Sequence, residues 1–143
     1  MNDKAKKAIL EQTKTIAILG LSPNEDKPSF QVAKFLQTRG YQILPIYPKG
    51  GEILGMRAFL DLKDAFSDEV KAQYGEIKIL NVFRKSEALL EIAKEVLNLT
   101  NPPACVWVQL GLSNPQAKAL LEDKGFLYEE DSCIKLEYER LFV

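Results

Sequence analysis

Short apolar runs that stop at glycine or proline, each followed by a stretch with helical spacing, recur along the whole chain. Thr15–Leu19 is rich in isoleucine, too short for a helix, and ends at Gly20, so it reads as a buried strand. Phe30, Ala33 and Leu36 then recur at helical spacing, with Pro28 near the start and Gly40 at the stop. Tyr41–Tyr47 is a second apolar run, closed by Pro48-Lys49-Gly50-Gly51. A loop through Gly55 leads to a short helix expected to cover Leu62, Ala65, Phe66 and Val70. Ile77–Phe83 is the third strand, and Ser86 is placed to cap a helix striped by Leu89, Ile92, Ala93, Val96 and Leu97. Ala104–Leu110 ends at Gly111, and Asn114-Pro115 opens a helix that stops at Gly125. Phe126–Tyr128 is the expected fifth strand. In residues 1–14, Ala5, Ala8, Ile9 and Gln12 share one face of a helix expected on the outside.

Helices between buried apolar strands imply a parallel sheet covered on both faces, because right-handed crossovers place them there. The expected architecture is α/β, a doubly wound five-stranded parallel sheet, Rossmann-like, with residues 1–143 forming one domain. A chain of 143 residues can bury one substantial core.

Composition narrows the function. The formal net charge is −1, with both signs interspersed, which gives no basic footprint for nucleic acid. No apolar run approaches the ~18 residues of a membrane span, and the charged Asp3–Lys7 stretch does not resemble a signal peptide. Cys105 and Cys133 are too few for a disulfide scaffold, so a reducing, cytoplasmic compartment is expected. The chain has no histidine, which removes the commonest general base and metal ligand and excludes Ser-His-Asp and Cys-His mechanisms.

In such a sheet, ligands bind outside the carboxyl ends of the strands, so the residues just after each strand carry the information. After the first come Gly20, Ser22, Pro23, Lys27 and Ser29, ahead of a helix start that offers free amides to a phosphate. An ordinary turn with a solvated lysine explains the same residues equally well, since the G-x-G-x-x-G fingerprint is incomplete. After the second strand, a dinucleotide fold usually places an acid for the ribose. This chain has Pro48 and Lys49, which suit a ribose phosphate, or else form a plain glycine turn. Val82, Phe83 and Arg84 close the third strand. Arginine there can clamp phosphate and phenylalanine can flank a base, or both can be ordinary core and surface. Trp107 reads as packing, whereas Gln109 before Gly111 is harder to explain that way because a buried amide needs partners. Cys133 reads as a small buried hydrophobe and Lys135 as a solvated charge.

Taken together, these loops resemble the small bacterial and archaeal CoA-binding domain proteins. More distantly, they resemble the N-terminal CoA-binding domain of the succinyl-CoA synthetase alpha subunit. The matching stretches are Ile16–Pro23, Lys27–Ser29, Gly40-Tyr41, Pro45–Pro48, Val82–Arg84, Val106–Gly111 and Asp131–Glu137. The likeness runs from about Thr15 to Leu141. It implies a Rossmann fold that binds coenzyme A, or an acyl-CoA, without chemistry of its own. By resemblance, Gly20, Ser22 and Pro23 line the pyrophosphate turn, and Lys27 and Ser29 add phosphate contacts. Pro48 and Lys49 lie near the nucleotide, and Val82, Phe83 and Arg84 flank the adenine side. The likeness also puts Cys133 near the strand ends, within reach of the CoA thiol, with Lys135 favouring its thiolate. Relatives commonly have asparagine at Tyr47 and histidine at Tyr138. The synthetase's second domain, with its phosphorylated histidine, has no counterpart here, so ligase activity does not carry over. The competing readings are a small NADP-dependent oxidoreductase and a structural or regulatory protein. The sequence leaves the oligomeric state and the acyl-chain preference open.

Overall fold

The computed structural model describes residues 1–143. Five parallel strands form the sheet: β1 (Thr15–Leu19), β2 (Gln42–Ile46), β5 (Ile77–Val82), β6 (Cys105–Val108) and β7 (Leu127–Glu129), in the order β2-β1-β5-β6-β7. The chain leaves β1 toward one edge to form β2, then returns across β1 to form β5. Strand order therefore reverses between β1 and β5, and a crevice opens there at the carboxyl ends.

Side-chain alternation sorts the core into two layers. Ile16 and Ile18 of β1, with Ile79 and Trp107, pack under α1 (Asp3–Gln12), α2 (Pro28–Thr38) and α7 (Ile134–Leu141). Ala17, Leu19, Leu80, Val82, Val106 and Val108 face the other way, under α3 (Leu62–Ala65), α4 (Asp68–Tyr74), α5 (Leu89–Leu97) and α6 (Pro115–Asp123). Nearly every strand side chain is buried on one face or the other, as expected of a sheet covered on both sides.

The structure corrects several local expectations. The single helix expected around Leu62–Val70 is two, because Asp61 and Ser67 each accept a backbone N–H and start separate turns. Ser86 does not cap α5. It opens a 3-10 turn at Ser86–Ala88, and its Oγ accepts from the Ser113 N–H, tying this turn to the start of α6. The face of α1 that packs inward is Lys6, Ile9 and Leu10, while Gln12 is exposed. A lysine joins that face because carboxylates from β7 and α7 meet it there. A two-stranded hairpin, β3 (Glu52–Ile53) with β4 (Met56–Arg57), and the terminal helix α7 were not expected from the sequence.

Candidate functional site

Past the last residue of each strand, backbone hydrogen bonding continues and sets the following residues in a row. The Gly20 N–H donates to the Ile46 carbonyl (3.1 Å) and that of Phe83 to Leu19 (2.9 Å). The Gln109 N–H donates to Val82 (3.1 Å) and that of Ser132 to Val108 (3.3 Å). Gly20, Phe83, Gln109 and Ser132 thus form one rim, although far apart in sequence.

Gly20 lies at the reversal point with φ +86°, in the left-handed region that favours glycine. A Cβ built there would collide with the Phe83 carbonyl and the Arg84 guanidinium. Arg84 can swing away, but the carbonyl is main chain, on a residue whose N–H is held by Leu19, and has little room to move. The turn therefore presents bare backbone, with a guanidinium laid against it.

Beyond Gly20 the loop is held by its own hydroxyls. Ser29, buried at the start of α2, accepts the Ser22 N–H on its Oγ at 3.0 Å, and Ser22 Oγ accepts from Asn24 N–H at 3.1 Å. Each oxygen is used as an acceptor, so each hydroxyl keeps its proton to donate. The Lys27 side chain does not cap α2, and Pro28 stands in the first turn, so the positive end of an 11-residue helix faces the loop without a neutralising side chain. Lys27, Lys49 and Pro23 are exposed, Arg84 is half-buried, and no ion pair in the structure includes Lys27, Lys49 or Arg84.

On the α5 side of the rim, Leu19, Pro48, Leu60, Arg84 and Ile92 line a groove of about 300 Å³, and the carboxylates of Asp61, Glu91 and Glu95 line it with them. A cavity of about 250 Å³ lies among Lys71, Gly75, Glu76 and Asn101, where β5 begins. Strand starts present helix C-termini rather than N-termini, so that end is the poorer place for an anion.

The remaining positions divide. Val82 is wholly buried beneath α5 and contributes only its backbone, while Phe83 is half-buried on the α2 side. Gly111 donates its N–H to Asp131 Oδ1 at 2.7 Å, closing the turn after β6 onto the loop after β7. Trp107 is enclosed, its Nε1 donating to the Ser132 carbonyl at 3.1 Å. Cys133 immediately precedes α7 and is half-buried next to the rim residue Ser132. The Lys135 ammonium lies 5.5 Å over the Phe35 ring, well along α2 from its N-terminus, and so is not gathered with the other cations. Cys105 is fully enclosed, and burial, followed by the charge of Glu129, pushes its thiol up to about 12.

Sequence reasoning passed over Asn81. It is completely buried in β5, and its Nδ2 donates to the Trp107 carbonyl at 3.0 Å. An asparagine inside an otherwise apolar strand was the available signal.

A parallel sheet whose strand order reverses beside a positive-φ glycine defines a Rossmann-type domain, and here the reversal point lies next to an uncapped helix N-terminus and unpaired cations. The chain belongs to the CoA-binding domain family, whose model matches residues 14–139. It is 39% identical over 132 residues to the uncharacterized protein YneT of Bacillus subtilis, covering 92% of this chain and 90% of that one. Among solved structures, one from Thermus thermophilus matches with TM-score 0.84 and 35% identity, covering 99% of this chain and all of the other. A hypothetical protein of Pyrococcus horikoshii matches with TM-score 0.86 and 25% identity, over 100% of this chain and 94% of that one. No helix is long and apolar enough to cross a membrane.

Proposed function

We propose that residues 1–143 act as one unit that binds coenzyme A, or an acyl-CoA, across the carboxyl ends of β2, β1 and β5, and holds it without chemical turnover. The observation that carries this is the Gly20 turn, where bare backbone, the Arg84 guanidinium and the uncapped start of α2 converge and Arg84 forms no ion pair. The pyrophosphate lies against Gly20, Ser22 and Pro23, where backbone can come close and hydroxyl protons are free. Ser29 and Lys27 add contacts from the start of α2. The adenine enters the groove beside Pro48, Arg84 and Ile92, on the sheet face opposite the Phe83 side chain, and Lys49 meets the ribose 3′-phosphate. Family membership supports a CoA-related ligand. Binding without turnover is favoured because no histidine anywhere in the chain can move a proton and no nucleophile paired with a base stands at the Gly20 turn.

Calorimetry with CoA, dephospho-CoA and NAD tests the reading, together with thermal melts. CoA is expected to bind most tightly, and at ~100 times its dissociation constant to add about 2.7 kcal/mol to stability. Lys49→Ala is expected to weaken CoA several-fold and leave dephospho-CoA unchanged. NAD binding more tightly than CoA would overturn the assignment. Equal affinity for CoA and dephospho-CoA in the unsubstituted protein would remove the role given to Lys49.

A further inference from the structure

We infer that Gln109 is a specificity residue for the ligand's thiol-bearing arm, accepting an amide N–H where that arm crosses the end of β6. The inference rests on the CoA reading above. Gln109 follows β6 on the rim, and its side-chain Oε1 is buried without any hydrogen-bond donor. A desolvated amide carbonyl without a partner is unfavourable, and few native groups are left that way. Asn81 Oδ1 is the other such atom, and the pairing of Asn81 with Trp107 puts both amides on the sheet face covered by α2 and α7. Asn81 is wholly enclosed, out of a ligand's reach. Gln109 is only partly enclosed, so rotation about its own side-chain bonds carries Oε1 outward, and no hydrogen bond holds that oxygen in place.

The chemistry of the missing donor identifies what comes there. Phosphate oxygens only accept, and they are repelled by a carbonyl oxygen. The unpaired cations that attract phosphate stand after β2 (Lys49), before α2 (Lys27) and after β5 (Arg84). Gln109 stands beyond them, on the β6 side of the reversal point. A CoA whose nucleotide covers β2, β1 and β5 has only its pantetheine arm left to cover β6. That arm alternates amide N–H groups with apolar carbons. Leu110, the next residue, is 57% exposed and gives those carbons an apolar surface beside the amide.

The experiment is calorimetric titration of the unsubstituted protein and Gln109→Leu with CoA and with adenosine 3′-phosphate 5′-diphosphate, which lacks the arm. Gln109→Leu is expected to weaken CoA about tenfold, the scale of a single well-made hydrogen bond, and to leave the armless nucleotide within about twofold. The free variant's melting temperature is expected not to fall, since the substitution removes an unpaired carbonyl rather than a bond. Equal weakening of both ligands, or no weakening of CoA, would overturn the inference. If the unsubstituted protein binds neither ligand, the CoA reading fails and takes this inference with it. If it binds both ligands equally, the nucleotide reading stands and the arm's contact with Gln109 falls alone.

Discussion

The seam between α1 and α7 and the rim at the carboxyl ends of the strands both carry concentrated charge, but only the seam pairs it. Lys6 reaches Glu129 at 2.9 Å and Glu137 at 2.7 Å, and the Met1 amine reaches Glu129 at 2.9 Å. Arg140 binds Glu137 at 2.8 Å and Asp3 at 2.7 Å. Burial disfavours the Lys6 and Glu129 charges. Hydrogen bonds outweigh it: Lys6 donates to Glu137 and Glu129, and Glu129 accepts from the Met1 amine, Lys6 and Ser132. Lys6 is therefore held above its ordinary value and Glu129 below. At the rim, Lys27, Lys49 and Arg84 meet no carboxylate, and Gly20 keeps a conformation only glycine adopts easily. Charges closed on one another hold helices together. Charges left unpaired beside the Gly20 turn hold no helices together, and it is these that the proposed CoA site uses.

Substitutions can break that contrast. The largest effect is expected from Gly20→Ala. Its methyl would meet the Phe83 main-chain carbonyl, in a strained backbone region, so stability should fall by about 1–3 kcal/mol. CoA affinity should fall at least 100-fold with it, about 2.7 kcal/mol. Urea denaturation and calorimetry read the two separately, and an unchanged affinity would detach this turn from the ligand.

Lys6→Met should do the reverse. Removing the shared cation leaves two mostly buried carboxylates without it, and breaking such pairs by deleting one partner is strongly destabilising. With some solvent access remaining, the expected loss is about 2 kcal/mol in urea denaturation. CoA affinity is expected to stay within twofold, and a large loss would mean that the seam reaches the rim through Ser132.

Arg84→Gln sharpens the comparison from the other side. Because Arg84 has no ion-pair partner, the melting temperature should hold while CoA binding weakens about tenfold, or 1.4 kcal/mol. A drop in melting temperature at unchanged affinity would reclassify Arg84 as structural.

The smallest effect is one of pH. Asp3 is held below its ordinary carboxylate value, first by hydrogen bonding to Arg140. Arg140 does the same for Glu137, and the Met1 amine, Lys6 and Ser132 overcome burial at Glu129. Folded-state values below unfolded ones mean that these groups stabilise the protein above the ordinary carboxylate range. That contribution is lost as pH falls through the depressed folded values. Stability measured from pH 6 downward should therefore decline below about pH 4.5, and Lys6→Met should flatten the decline.

Some of this was legible before any coordinates. The isoleucine-rich run into Gly20, the five strands and the helices between them follow from local pattern, since a buried strand must be apolar throughout and a covering helix striped. Sequence order also placed Gly20, Lys49, Arg84 and Gln109 just after strands, which in a parallel sheet means one end. The hairpin at Glu52–Arg57 was not legible, because two residues per strand carry no period. Nor was α7, where Lys135, Glu137 and Glu139 interrupt the apolar pattern, and where tertiary contacts to α1 supply much of the stabilisation.

What the sequence alone determined, then, is the class of fold and which residues follow the strands at one end of the sheet, because both depend on local periodicity and chain direction. Tertiary structure decided which charges stay free. Lys6 and Lys27 look alike in the chain, yet the first meets carboxylates more than a hundred residues away and the second meets none. It also decided that the space beside Gly20 belongs to the Phe83 carbonyl, and that Gln109 keeps a buried oxygen without a donor. Pairing and close approach depend on distances between residues far apart in sequence, and those distances exist only once the sheet has formed.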